Sequence, residues 1–164
     1  MISYFMTDCE SSNHPTGANG QRCQLAVDGS YGQHVTNGWE NYYSPGHAIW
    51  RIEEPATINS VIFWTYPGKK MDYFSVGVEV NGTIIPVKKP RISDVDAKVS
   101  PSGRIRISPS YGSFIRVGFP DFVNATGVKI ESFVEINDGQ ITEIWLLYIS
   151  GVDMSEDIEG IINS

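Results

Sequence analysis

Tyr73-Phe74-Ser75-Val76-Gly77-Val78-Glu79-Val80 runs into Asn81-Gly82 and out through Thr83-Ile84-Ile85-Pro86-Val87. The first run alternates apolar and small or polar residues with period two. Alternate side chains of a strand point to opposite faces, so this pattern is that of a strand. Asn-Gly between two apolar runs is the strongest short-range hairpin signal, because both residues accept the positive φ of a tight type I′ turn. The stretch therefore predicts a β-hairpin with its reversal at 81–82.

The same signal recurs on both sides. Ala48-Ile49-Trp50-Arg51-Ile52 alternates, and Thr57 to Thr65 is β-branched and aromatic. Arg104 to Ser108, Phe114 to Phe119 and Gly127 to Phe133 follow at strand length. Ile141 to Ile149 is almost continuously apolar and reads as a buried strand. Helical periodicity is confined to Asp153–Ile162, with Asp153 or Ser155 as cap and acids in the first turn. Many short strands without helices predict an all-β sandwich or barrel. Sixteen glycines and nine prolines along the 164 residues suit its turns. Residues 1–22 are polar and turn-rich and predict no regular element, and residues 24–48 continue as a long irregular stretch carrying Tyr31, Trp39, Tyr42 and Tyr43. The expected organisation is one domain over 1–150 and a tail or linker over 151–164.

Composition narrows function. Nineteen acidic residues face twelve basic ones, a net charge of −7. Such a surface repels phosphate backbones, so nucleic acid is not an expected partner, and an anionic membrane is disfavoured for the same reason. Neutral glycans and cations remain. The longest apolar runs, such as Val61-Ile62-Phe63-Trp64, are too short to span a bilayer as a helix. Met1 to Thr7 lacks the basic and apolar regions of a signal peptide, and the chain reads as a domain of a larger protein or multivalent assembly. Cys9 and Cys23 either close a small N-terminal loop, as in a secreted protein, or stand as two free thiols. Asn81-Gly82-Thr83 and Asn124-Ala125-Thr126 have the form of glycosylation sequons.

No catalytic signature is present. Gly-x-Ser-x-Gly, His-Glu-x-x-His, Cys-x-x-Cys and the P-loop are all missing, and His14, His34 and His47 have no metal-ligand spacing. The expectation is a protein that is not an enzyme.

A second group of residues carries a family resemblance. Ala26-Val27-Asp28-Gly29 is followed by Thr36, Trp39, then Trp50 in a strand, then Ile58 to Val61, and finally Gly139-Gln140-Ile141-Thr142-Glu143-Ile144-Trp145. In order and spacing this resembles the discoidin-like, or coagulation factor V/VIII C-type, domain and is similar to family 32 carbohydrate-binding modules, over roughly residues 20–150. The resemblance implies a galactose-binding-domain-like jelly-roll β-sandwich. It places Trp39 and Trp50 between the sheets, and the apolar run around Trp145 reads the same way, while Trp64 adjoins a loop. It implies a structural calcium held by Asp28, Thr36 and Glu143, since a hard cation takes six to eight oxygens from carboxylates, hydroxyls and carbonyls. Thr36 lies eight residues after Asp28, further than the family pattern. A solvated Asx-turn at Asp28-Gly29 is the alternative.

The function implied is non-catalytic and lectin-like: glycans bound through loops at one end of the sandwich, on an extracellular, cell or virion surface. A pyranose needs an aromatic platform ringed by a few fixed polar groups. The candidates are His34, Tyr42, Tyr43, Tyr66, Lys69 and Tyr111, facing neutral or weakly charged sugars. Galactose-binding relatives often carry an Arg near the position of Tyr66; here Lys69 and Lys70 follow instead. The alternative is a phospholipid- or protein-binding adhesion module of a larger surface or viral protein.

Overall fold

The computed structural model describes residues 2–11, 23–27, 39–40, 46–65, 71–93, 97–107, 114–132 and 140–149. Along the chain these form β1 (Ile2–Tyr4), β2 (Asp8–Ser11), a 3-10 turn (Cys23–Ala26), β3 (Trp39–Glu40), β4 (Gly46–Thr65), β5 (Met71–Val80) and β6 (Thr83–Pro86). Then come β7 (Arg91–Ser93), β8 (Ala97–Val99), β9 (Ile105–Ile107), β10 (Phe114–Ser132) and β11 (Gln140–Tyr148).

Two long strands organise the rest. β4 and β10 pair antiparallel from Gly46↔Ser132 to Arg51↔Gly127, and again from Ala56↔Ala125 to Trp64↔Phe114. The register shifts between Ala125 and Gly127, and between Gly118 and Val123. Each shift is a bulge, which bends a strand and increases its twist. At the bends the ladder passes from one layer to the other. The first half of β4 lies between β2 and β10, and β5 continues that layer, joined by β6 and by β9 with β8. The second half lies between β11 and β10, with β1 and β3 on β11 and β7 on β10. The result is an all-β jelly-roll sandwich.

The core lies between the layers. It joins Ala48, Trp50 and Ile52 of the first half of β4 to Val61 and Phe63 of the second, with Phe74, Val76, Val78, Ile115, Val117, Val128, Ile130, Ile144 and Leu146. Phe63 and Phe74 meet edge-to-face across it, ring centroids 5.8 Å apart. Inward positions are even over 48–52 but odd at 61 and 63, so the bend switches which parity is apolar. A single alternation rule therefore divides β4 into two strands, as the sequence reading did.

The predicted hairpin is present: Val80 pairs with Thr83, and Asn81 (φ 51°) and Gly82 (φ 79°) take the left-handed conformation between them. The N-terminal expectation is corrected. β1 pairs with β11 and β2 with β4, inside a stretch whose own composition predicts no strand. Both are edge strands whose pairing comes from the neighbour, not from their own pattern. The two cysteines form a disulfide, Cys9–Cys23, that ties β2 to the 3-10 turn. Trp50 is fully buried as expected, and Trp145 is buried but lies on the outer face of its sheet, against Trp64. The Trp39 side chain lies outside what the structure describes.

This frame makes two substitutions informative about stability. A Cβ on Gly127 would sit 2.5 Å from the Trp50 carbonyl oxygen and 3.2 Å from Arg51 Cγ. Gly127→Ala should therefore force the central ladder apart and cost about 1–3 kcal/mol, read as a lower urea midpoint. Removing the disulfide with Cys9→Ser and Cys23→Ser together frees a loop of sequence separation 14. It should cost about 3 kcal/mol, seen as a lower melting temperature that reductant no longer changes.

Candidate functional site

The strand registers bring many strand ends to one end of the sandwich. Gly46 and Ser132 close one half of the β4–β10 ladder, and Thr65, paired with Ile141, closes the other beside Trp64↔Phe114. Phe74 pairs with Ser132, Met71 with Ile107, and Glu40 with Gln140 at the same end. The segments numbered 41–45, 66–70, 108–113 and 133–139 leave and re-enter the described structure here. They contain Tyr42, Tyr43, Tyr66, Lys69 and Tyr111. These residues, with His34, Asp28 and Thr36, lie outside the described residues.

Glu143 is described. The bulge between Ile141 and Glu143 turns it to the outer face of β11, opposite Trp64. Its side chain is fully buried, at 0% exposure. Taking a carboxylate out of water costs several kcal/mol unless an opposite charge or strong donors meet it. It lines a cavity of about 20 Å³ with Phe5, Met6, Val27, Ile144 and Trp145. A space of that size holds about one water or one small ion.

Val27 reaches this cavity because the 3-10 turn before it is held in three ways. Ala26 and Cys23 are buried in the core. The Trp50 indole N–H donates to the Cys23 carbonyl oxygen at 2.9 Å. The Cys9–Cys23 bridge anchors the turn to β2. Asp28 is the next residue in the chain. Two elements far apart in sequence thus converge where Glu143 is buried. Among the described residues no group of three His, Cys, Asp or Glu side chains is placed to hold a metal ion.

Two features escaped the sequence reading. The first is a charged cluster on the outer face of the β2–β4–β5 layer. Arg51 Nε donates to both Glu79 carboxylate oxygens at 3.1 and 3.0 Å, and Arg51 Nη2 donates to Glu10 at 3.2 Å. Thr126 Oγ1 donates to Glu79 Oε1 at 2.8 Å. Burial alone would lower the Arg51 pKa, but hydrogen bonds to Glu10 and Glu79 and their charges outweigh it, and the pKa is raised. Alternation marks Arg51 and Glu79 as outward, but nothing in the sequence says that 51 and 79 meet. The second is an apolar groove of about 430 Å³ where β6 crosses to β7 beside the bend of β10. Val78, Ile85, Val87, Phe119 and Val123 line it, with Lys88 and Lys89 among its polar residues. It forms only when the 118–123 bulge is folded.

Solved structures share this architecture. A family 32 carbohydrate-binding module of AlyQ, in complex with 4,5-unsaturated mannuronic acid, superposes with a TM-score of 0.67 at 16% identity, over 91% of this chain and 100% of that one. A pectin-binding carbohydrate-binding module gives 0.67 at 13% identity, over 92% and 96%. The fold is the discoidin-like sandwich of family 32 carbohydrate-binding modules. A family 32 module of NanJ from Clostridium perfringens, in complex with galactose, gives 0.64 at 11% identity, over 88% and 98%. No protein-family model matches the sequence, and no curated protein matches it significantly. At these identities the discoidin-like likeness is one of fold. No helix among the described residues is long and apolar enough to cross a membrane.

Glu79→Ala should lower stability by about 2 kcal/mol, because it leaves Thr126 and a half-buried Arg51 without their shared acceptor. The 29% exposure of Arg51 limits the loss, since water takes over part of the solvation. A double-mutant cycle with Arg51→Ala measures the coupling.

Proposed function

We propose that this chain is a non-catalytic carbohydrate-binding module that recognises neutral or weakly charged glycans through the loops at the Gly46–Thr65 end of the sandwich. The observation behind this reading is the shared architecture, which extends over 91% of the chain, with modules whose names record bound or recognised sugars. The strand registers support the choice of end, because the segments carrying Tyr42, Tyr43, Tyr66, Lys69 and Tyr111 leave and re-enter the described strands there; His34 is the remaining candidate. The net charge of −7 favours neutral ligands over uronates through simple repulsion. The adhesion alternative gains nothing from the three neighbours named above, whose names are those of sugar-binding modules. The disulfide suits an oxidising compartment, which fits a secreted or surface protein.

We also infer a structural calcium held by Glu143 with Asp28 and Thr36. The support is the fully buried Glu143 carboxylate beside a cavity of ion size, reached by the residue preceding Asp28. A cation there would add positive charge next to a carboxylate taken out of water. It would tie the segment after the 3-10 turn to the last strand. Its role is structural, with no part in a reaction.

Two experiments test these readings separately. Titration calorimetry with galactosides, other neutral oligosaccharides and uronate oligomers, with calcium present, should show weak binding to a neutral sugar. Linking modules should strengthen it. Absence of binding to every neutral glycan, or a clear preference for uronates, overturns the assignment. For the ion, thermal melts in calcium and in chelator should differ by about 2.7 kcal/mol of stability at a hundred-fold excess over Kd. Glu143→Gln should abolish the difference. Identical melts of the parent protein dispose of the calcium.

A further inference from the structure

We propose that the apolar groove where β6 crosses to β7 binds an unbranched aliphatic carboxylate, its chain in the groove and its head beside Lys88 and Lys89. The groove holds about 430 Å³, within the roughly 300–1,000 Å³ of small-molecule pockets. It opens on the flank of the inter-sheet core. Val78, Val87 and Phe119, at 2%, 9% and 7% exposure, belong to that core and also line the groove. Ile85 lines it too and is 48% exposed, so the groove is open to solvent. Its wall is fixed without a ligand. The Val87 N–H donates to the Val76 carbonyl at 2.9 Å. Gly103, at φ 87°, lies so close that a Cβ there would meet the Val87 carbonyl oxygen at 2.9 Å. The site is separate from the loop end of the sandwich. Gly118, where the bulge beside the groove begins, is four strand residues, roughly 13 Å, from Phe114.

The lining selects the ligand. Lys88, Lys89 and Asp121 are the residues that bring charged or polar side chains to it. That is too few to read the hydroxyls of a sugar, and the one aromatic ring in the lining, Phe119, is buried. Pro86 and Pro120 in the walls have no N–H, so an extended peptide cannot add there as a fully bonded strand. An aliphatic chain needs no hydrogen bonds and gains from burial alone. Charge decides its head. Lys88, Lys89 and Arg91 put three of the chain's twelve basic residues into four positions. All three are exposed, and none has an ion-pair partner among the described residues. Arg91 pairs with Gly118, next to Phe119. Asp121 is the acid of the lining, so an anionic head belongs on the lysine side. The net charge of −7 does not cancel this preference. Screening at physiological salt acts over about 8 Å, so a bound head responds to the cations beside it.

The test uses the full chain and titration calorimetry with octanoate, decanoate and dodecanoate, below their micelle-forming concentrations and without added calcium. Affinity should rise about tenfold for each pair of added methylenes. Decanol and decyltrimethylammonium should bind more weakly than decanoate. Lys88→Glu with Lys89→Glu, both at exposed positions, should weaken decanoate by roughly tenfold and leave decanol unchanged. Ile85→Ser should weaken decanoate and decanol alike, and Asp121→Asn should tighten decanoate. Absence of binding up to dodecanoate, or decyltrimethylammonium binding as tightly as decanoate, overturns the proposal. So does decanoate binding that is parent-like in both the lysine and the Ile85 variants, since the chain then sits elsewhere. Glycan titrations of the same variants should match the parent, which separates a failure here from a failure of the glycan reading.

Discussion

The β4–β10 ladder is the constraint on which the rest depends. Its two strands are each long enough to belong to both layers, and two bulges let them do so. The sandwich is therefore not two sheets pressed together but one antiparallel pair folded over, with other strands added on its flanks. This explains why Gly127 has no room for a side chain: the ladder is tightest where the backbone turns from one layer to the next. It also places the ends of both halves of β4, Gly46 and Thr65, at the same end of the molecule, with Phe74, Gln140 and Phe114 beside them. A bent ladder thus turns segments scattered over the sequence into neighbours.

A second set of contacts depends on this ladder. Trp50 sits on the ladder, fully buried, and its indole holds the Cys23 carbonyl. The disulfide then joins Cys23 to β2, which pairs with the same stretch of β4. The 3-10 turn is locked by packing, a hydrogen bond and a covalent bond at once. Its position near buried Glu143 is accordingly set by the scaffold.

Parts of this were legible from residues alone. Asn81-Gly82 marked its hairpin because left-handed turn geometry is a local property. The apolar run 141–149 marked a buried strand, and the Asp28, Trp50 and Glu143 pattern pointed to the sandwich that the solved structures share. Other parts had no local signal. β1 and β2 are strands because β11 and β4 offer them edges. Hydrophobicity cannot sort the middle of β11 into faces. Ile144 and Leu146 face the core while Trp145 and Leu147 face outward, and all four are buried.

By itself the sequence determined the local conformations: the positive-φ turn, the period-two runs and the excess of negative charge. These depend on φ/ψ preferences and composition, which act within a few residues. Only the tertiary structure decided which faces meet. It merged two predicted strands into β4 by switching parity at a bulge. It brought Arg51 to Glu79, buried Glu143 beside Val27, and paired Cys9 with Cys23. Each of these contacts joins residues separated along the chain, and their energy comes from burial and pairing that exist only once the ladder has bent.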